Sequence, residues 1–335
     1  MKHSNIAVFI PNAGCPNQCS FCDQRTISGA QAAPAPEQVR NILLKSAPYL
    51  KSPEETEVAF FGGSFTAIDR DYMLALLEVA ANFLQEYGLA GIRISTRPDA
   101  IDDVICETLR RYSVHVVELG AQSMVDSVLS MNRRGHTAAD IERASKMLKG
   151  YGFQLGLQMM TGLYGSTPAL DCHTAKRFIG LCPDMIRIYP TVTLKGTVLE
   201  KLYQNGVYIP QTLEQAVEQC SRLYRLFLEA NIPVIRLGLH ASSEIEESYV
   251  AGAYHPAFRE LCESRMFLEQ TLSLLERCPK GNYILGVAPR SHSKMAGQHR
   301  DNLKKLREYG YCVKLLDDAA LGAYEIRLRE GTACF

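Results

Sequence analysis

Short β-branched and aromatic runs recur along the first two thirds of the chain, each followed by a loop and then by a stretch with helix signals. The runs are IAVFI (6–10), EVAFF (57–61), IRIST (92–96), VHVVEL (114–119), FQLGLQMM (153–160) and MIRIYP (185–190). Between them, Asp99 and Thr137 are placed as helix N-caps, the latter with Asp140 three residues on, and Gly150 is placed as a stop. Strands that alternate with helices predict a parallel sheet, because each return to the sheet needs a crossover. A further run, PVIRLGL (233–239), either closes or extends it. From about Ala241 the rhythm changes to a polar stretch, one long amphipathic segment (HPAFRELCESRMFLEQTLSLLE), the run NYILGVA, a basic helix and short strands near CVKLL and AYEIRL. The pattern therefore predicts an α/β main domain over 1–240 and a small α/β extension over 241–335. AQAAPAP (Ala30 to Pro36) reads as a loop leading into the first helix.

At 335 residues the chain buries a sizeable core without needing disulfides. Its 11 cysteines are an odd number, and eight of them lie singly in apolar or helical segments. That usage reads as reduced thiols in a cytoplasmic protein. The first apolar run is too short for a signal peptide and no later run reaches the length of a membrane span. Lys plus Arg and Asp plus Glu are both 36, so no strongly basic field gathers nucleic acid, although a local patch is compatible with that balance.

The remaining three cysteines, Cys15, Cys19 and Cys22, fall in one loop directly after the first predicted strand. In parallel α/β sheets the C-terminal rim of the strands is where chemistry is placed. A structural zinc site wants four ligands, usually in two pairs, and no second pair is present. An iron–sulfur cluster suits three thiolates better, because one iron is then left open for a substrate or cofactor. The alternatives are zinc completed by His3, Cys106 or another chain, or reduced cysteines with no metal.

The CxxxCxxC loop, with Phe21 before its last cysteine, resembles the signature of the radical S-adenosylmethionine (SAM) superfamily. The resemblance implies a partial (βα)6 TIM-like barrel and a 4Fe-4S cluster on Cys15, Cys19 and Cys22. It also implies that the open iron chelates SAM, whose reductive cleavage gives a 5′-deoxyadenosyl radical. FFGGSF (Phe60 to Phe65) resembles the family's glycine-rich motif, which places Gly62, Gly63 and Ser64 beside the methionine part of SAM. STRPD (95–99), ELGAQS (118–123), NRRGHT (132–137) and GLQMMTGLYG (156–165) resemble, in order, blocks of the branch that contains Elp3 and the coproporphyrinogen dehydrogenases. On that resemblance Gln122 and Gln158 lie near the ribose and Arg134 near the carboxylate, which a planar guanidinium grips well. Glu118 is a further candidate, with a buried structural hydrogen bond as its rival.

The chain departs from both relatives. After the cysteine loop it reads Asp23-Gln24 where coproporphyrinogen dehydrogenases carry a fourth cysteine, and Ser95 stands where they have a glutamate. Elp3 itself has a more widely spaced cysteine loop, a basic RNA-binding segment and an acetyltransferase domain. The expectation is a compact Elp3-like member lacking that last domain. Its electron donor would be a reductase, flavodoxin or ferredoxin. The substrate class is open between tRNA and oxidation or methylation of a tetrapyrrole or other small metabolite; an iron–sulfur or RNA-binding protein without turnover is the non-enzyme alternative. RNA contact is placed on Arg290, Lys294, Arg300, Lys304 and Lys305, in a segment (290–307) with six Lys/Arg against one acid, where Ser291 or Ser293 caps a helix. Tyr189 and Thr191 are expected to face the mouth of the barrel, and SYVAGAYHPAF (248–258) to lie across it as a lid.

Overall fold

The computed structural model describes residues 4–330 except 12–13, 16–17 and 24–31; His3 lies outside them. Strands β1 (Ser4–Ile10), β2 (Thr56–Gly62), β3 (Gly91–Thr96), β4 (Val114–Gln122), β5 (Gln154–Thr161) and β6 (Met185–Pro190) form a parallel sheet in chain order. After the short β7 (Val192–Leu194), β8 (Val234–Leu237) adds a seventh parallel strand beside β6. The run at 233–239 therefore extends the sheet of six. The sheet curls into a half barrel, with β1 and β8 as its edges.

The strands read as near-continuous apolar runs because both faces are covered. Phe60, Ile94, Val117, Leu119, Leu157 and Ile188 are buried in one core with helices such as Arg70–Tyr87, Ala138–Gly150 and Leu213–Glu229. Several of these helices start on a side chain that satisfies an otherwise unpaired backbone N–H: Thr137, Thr167, Thr197 and Thr212 each accept from the residue three further on. At Thr137 the capping box with Asp140 is complete.

Two expected helix boundaries shift. Asp102, not Asp99, caps the helix Asp103–Arg111, because the Asp99 carboxylate is held by Arg97 at 2.6 and 2.8 Å. Gly150 is the last helical residue; the left-handed position that ends the turn is Gly152, at φ 80°.

The long helix Phe258–Leu275 packs Phe258, Cys262 and Met266 into the main core and Phe267, Leu268 and Leu275 into a second one. Over that second core lies a three-stranded sheet of β10 (Gly281–Val287), β11 (Tyr311–Asp317) and β12 (Ile326–Glu330), in the order β11-β10-β12. The polar segment after β8 forms β9 (Tyr249–Gly252), which pairs antiparallel with β7. This part of the expected lid is thus fixed in a two-stranded sheet. His255 has a structural role, its Nδ1 accepting from the Ala257 N–H at 3.1 Å.

The basic helix expected over 290–307 is broken into a 3-10 turn, a short helix at His292–Ala296 and a helix at Asp301–Glu308, with His299 and Arg300 at positive φ between them. Ser291 stands at the start of the short helix but makes no side-chain cap; its hydroxyl donates to the Ala323 carbonyl. Lys294 turns inward to the buried Glu263, 2.7 Å away.

Candidate active site: the cysteine loop and the cavity beside it

The segment that carries Cys15, Cys19 and Cys22 leaves the C-terminal end of β1 and is pinned from three sides. Gly14, at φ 69°, lies so close to the turn after β2 that a Cβ there would meet the Ser64 carbonyl oxygen at 2.3 Å. Only glycine fits that approach. Gly63 N–H donates to the Ile10 carbonyl at 2.7 Å, tying the same turn to the end of β1. Gly62, at φ 107°, leaves its own Cβ direction against Ile10. Farther on, Ser20 donates to Asn132 Oδ1 at 2.7 Å, while the Asn132 amide donates to the carbonyls of Val128 and Tyr164 at 2.8 Å each. Asn132 is fully buried. Nothing in the amino-acid pattern singles it out from Arg133 or Arg134.

Among the described residues no three His, Cys, Asp or Glu side chains stand ready as a closed metal cage. The donor set nonetheless fits a cationic cluster. Burial first, then Cys19, and to a lesser extent Cys15 and Asp23, push the Cys22 thiol up to about 12 against the pull of Arg134. Desolvation, then Cys19, raises Cys15 against the pull of Arg134, Arg97 and a backbone hydrogen bond from Ser64. Cys15 and Cys22, whose ionisation burial and the neighbouring Cys19 oppose, are in the setting a bound cation relieves, since it favours thiolate forms. Arg134 completes the setting by donating from Nη1 to Cys19 Sγ at 3.1 Å and from Nη2 to the Gly120 carbonyl at 2.5 Å.

The loop opens onto a cavity of about 360 Å3 within the curl of the sheet. Its lining includes Phe21, Cys22, Gly62, Ser95, Gln122, Gln158, Arg187, Tyr189, Arg236 and His240. Gln122, the last residue of β4, is at φ 66°, and its buried amide oxygen has no hydrogen-bond partner among the described residues. A buried unpaired acceptor beside a cavity is costly unless something in the cavity meets it. Gln158 is more committed: its amide donates to Glu118 at 3.0 Å and to Ser95 at 3.4 Å. Ser64 is buried, with its hydroxyl 3.0 Å from that of Thr96 and accepting from Arg97 N–H, so the Gly62–Ser64 turn offers mainly backbone. Tyr189 lines the cavity as expected; Thr191 does not, because its hydroxyl is buried and donates to the Thr161 carbonyl at 2.7 Å.

Below the cavity runs a buried ion network that the sequence reading found only in part. Arg93 pairs with Glu57 at 2.6 Å and Glu118 at 2.9 Å, and Arg187 lies 2.6 Å from Glu118. Burial alone would raise the Glu118 carboxyl, but Arg187 and Arg93 outweigh it and hold it below its ordinary value. Glu57 is lowered to about 2: hydrogen bonds from His115 and Arg93 overcome its burial. Glu118 is thus a member of a charge network, in line with the structural rival reading. Beside the loop, burial and then Arg134 lower His136 to about 4, so its ring is neutral, with Nε2 against the Ala121 carbonyl.

The fold and this rim define a class. The Radical SAM superfamily model matches residues 9–171 and the Radical_SAM C-terminal domain model matches residues 183–267. Together they span about three quarters of the chain, which belongs to the radical SAM superfamily, a family of enzymes. The chain is 26% identical over 241 residues to the tRNA uridine(34) acetyltransferase of Dehalococcoides mccartyi, covering 61% of this chain and 52% of that protein. Among solved structures, Elp3 of Methanocaldococcus infernus, deleted at its N-terminus, superposes with a TM-score of 0.62 at 22% identity, over 80% of this chain and 63% of that one. The coproporphyrinogen III oxidase of Escherichia coli, described as a radical SAM enzyme, gives 0.51 at 18% identity over 68% and 52%. The chain spans about half the length of the curated tRNA uridine(34) acetyltransferases it matches. No helix among the described residues is long and apolar enough to cross a membrane.

Proposed function

We propose that this chain is a radical SAM enzyme that cleaves S-adenosylmethionine reductively and turns the resulting radical on a substrate in the cavity beside the cysteine loop. Cys15, Cys19 and Cys22 would hold a 4Fe-4S cluster, which would supply the single electron that splits SAM into methionine and a 5′-deoxyadenosyl radical. The chain's own residues bind and orient. The Gly62–Gly63 backbone lets a ligand approach closely, the Gln122 amide oxygen, without a partner among the described residues, accepts from a ligand hydroxyl or amine, and Arg134 holds Cys19 in place while its Nε has no partner among those residues. Phe21 packs with Val128, Leu163 and Tyr208 behind the loop and keeps water from its inner side. The observation that carries the reading is that the cysteine loop, through Phe21 and Cys22, opens onto the cavity where Gln122 lacks a partner among the described residues.

The matched tRNA uridine(34) acetyltransferases are named for acting on tRNA, which makes tRNA the first substrate to test. A second reading, radical oxidation or methylation of a small metabolite, is favoured by the cavity, whose size suits one small molecule. It is favoured too by Lys294, which is committed to Glu263 instead of the surface. The electron donor on this reading is a reductase, flavodoxin or ferredoxin. The test is anaerobic: reconstitute and reduce the protein, then quantify 5′-deoxyadenosine from SAM with and without tRNA, with Cys19→Ala as the blank. Product that rises several-fold with tRNA supports tRNA modification, and product indifferent to tRNA supports a metabolite. Product no higher than the blank contradicts the proposal.

A further inference from the structure

On the concave face of the sheet, two acids and two arginines balance: Glu57 and Glu118 against Arg93 and Arg187, all in contact. Arg236 is left over. It stands on β8, opposite Arg187 in the register, and lines the cavity together with Tyr189 and His240. Its Nε donates to the Gly238 carbonyl at 2.9 Å. Among the described residues no Asp or Glu pairs with it, and Nη1 and Nη2 have no protein partner. Desolvation opposes its charge; of the ionisable groups that act on it, Tyr189 is kept un-ionised by its own burial, while Arg187 on β6 and Arg259 on the helix Phe258–Leu275 both oppose the charge of Arg236. His240 is half-buried beside it and is held below its usual pKa by desolvation and by Arg236, which leaves a neutral ring able to donate one N–H. A guanidinium that is partly desolvated among cations costs stability unless an anion joins it. Its fork matches a carboxylate or a phosphate.

We infer that the β8 end of the cavity is an anion subsite, in which Arg236, with His240, receives a carboxylate or phosphate of the substrate. The inference rests on the reading of this cavity as the substrate site and narrows it to substrates that carry such a group. The anion is anchored at the β8 edge while Cys22 and Phe21 line the same cavity from the β1 side, so the substrate is held by its charged end and presents the rest of its length to the cysteine loop.

The anion titration itself needs no cluster chemistry. The full chain is titrated with inorganic phosphate and, separately, with malonate, following the His240 ring resonances assigned through His240→Gln. The expected result is a saturable shift that weakens at least about tenfold in Arg236→Gln, survives largely in Arg236→Lys, and is unchanged in Lys304→Gln. The tighter of the two probes assigns the group as phosphate or carboxylate. Arg236→Gln should also melt no lower than the wild type, because the charge it removes has no acid partner. Equal binding in Arg236→Gln, or loss of the shift in Lys304→Gln, overturns the inference. So does a fall in SAM affinity in Arg236→Gln, since the arginine would then serve the cofactor's own carboxylate. A wild-type protein that makes no 5′-deoxyadenosine but binds the probes through Arg236 would sink the proposed reaction and leave the anion subsite standing.

Discussion

The concave face of the sheet has two levels, and they treat polar groups oppositely. In the lower level, Glu57, Arg93, Glu118 and Arg187 are charged, buried and mutually paired. Around the loop and cavity, among the described residues, the amide oxygen of Gln122, Nε of Arg134 and Nδ1 of His136 have no partner, and Arg236, beside Arg187 in the register, has no acid. Glu118 and Gln122 stand four residues apart on β4, while Arg134 and His136 come from the loop before the helix Ala138–Gly150 and Arg236 from β8. The difference teaches where the fold spends polar groups on itself and where it leaves them for something else. Paired charges give the half barrel an internal register, whereas unsatisfied ones cost stability that only a ligand restores. The cysteine loop belongs to the second level.

The comparison can be broken first at the loop. Substituting Cys15, Cys19 or Cys22 by Ala should remove bound iron and reduce 5′-deoxyadenosine to background, the largest effect expected, while the melting temperature of the iron-free protein changes little; iron analysis and thermal melts read the two separately. Next in size, Glu118→Ala leaves Arg187 buried without a partner and should cost about 3–5 kcal/mol in chemical denaturation. Gln122→Ala at the rim removes an unpaired group and should cost less than about 1 kcal/mol. If the two costs were equal, the distinction between the levels would fail.

Acid separates the levels again. The ring of His136 has its pKa depressed from 6.5 to about 4 in the folded chain, so the unfolded chain takes up its proton first as pH falls. Its contribution is full above pH 6.5 and is lost between there and pH 4, by roughly 3 kcal/mol. Glu57, lowered from 4.5 to about 2, contributes above pH 4.5 and loses that contribution only below it. Denaturation free energies measured across pH 3–7 should therefore decline in two stages, and His136→Gln should remove the first. The smallest effect belongs to the C-terminal surface. Lys304 and Lys305 reach Asp301 only at 3.9 and 3.8 Å, so reversing both charges should change stability by less than about 0.5 kcal/mol. A loss of tRNA-stimulated turnover in that variant would restore the basic segment as an RNA contact.

Much of this was legible in the chain itself. The strand runs and the Thr137 capping box follow from local patterns, and the cysteine loop from spacing, because each is written within ten residues. The ion network was not, since its members come from four strands and meet only through the sheet register. A trace of it is present, however. EVAFF, IRIST, VVELG and MIRIYP each carry one charge inside an apolar run, two acids and two arginines, and buried charges need partners. Asp99 fails as a cap for a related reason: Arg97 two residues earlier captures its carboxylate before the helix can. Lys294 read as surface because its partner, Glu263, lies on a different helix. Arg236 looked like one more strand residue, and only the pairing of every other charge around it makes it conspicuous.

The most direct test of the central claim is electron paramagnetic resonance of the anaerobically reconstituted and reduced protein, with and without SAM, beside its iron content. The account expects about four irons per chain, lost in Cys19→Ala, and a reduced-cluster spectrum that changes when SAM is added. Iron retained equally by Cys19→Ala, or a spectrum indifferent to SAM, would contradict it.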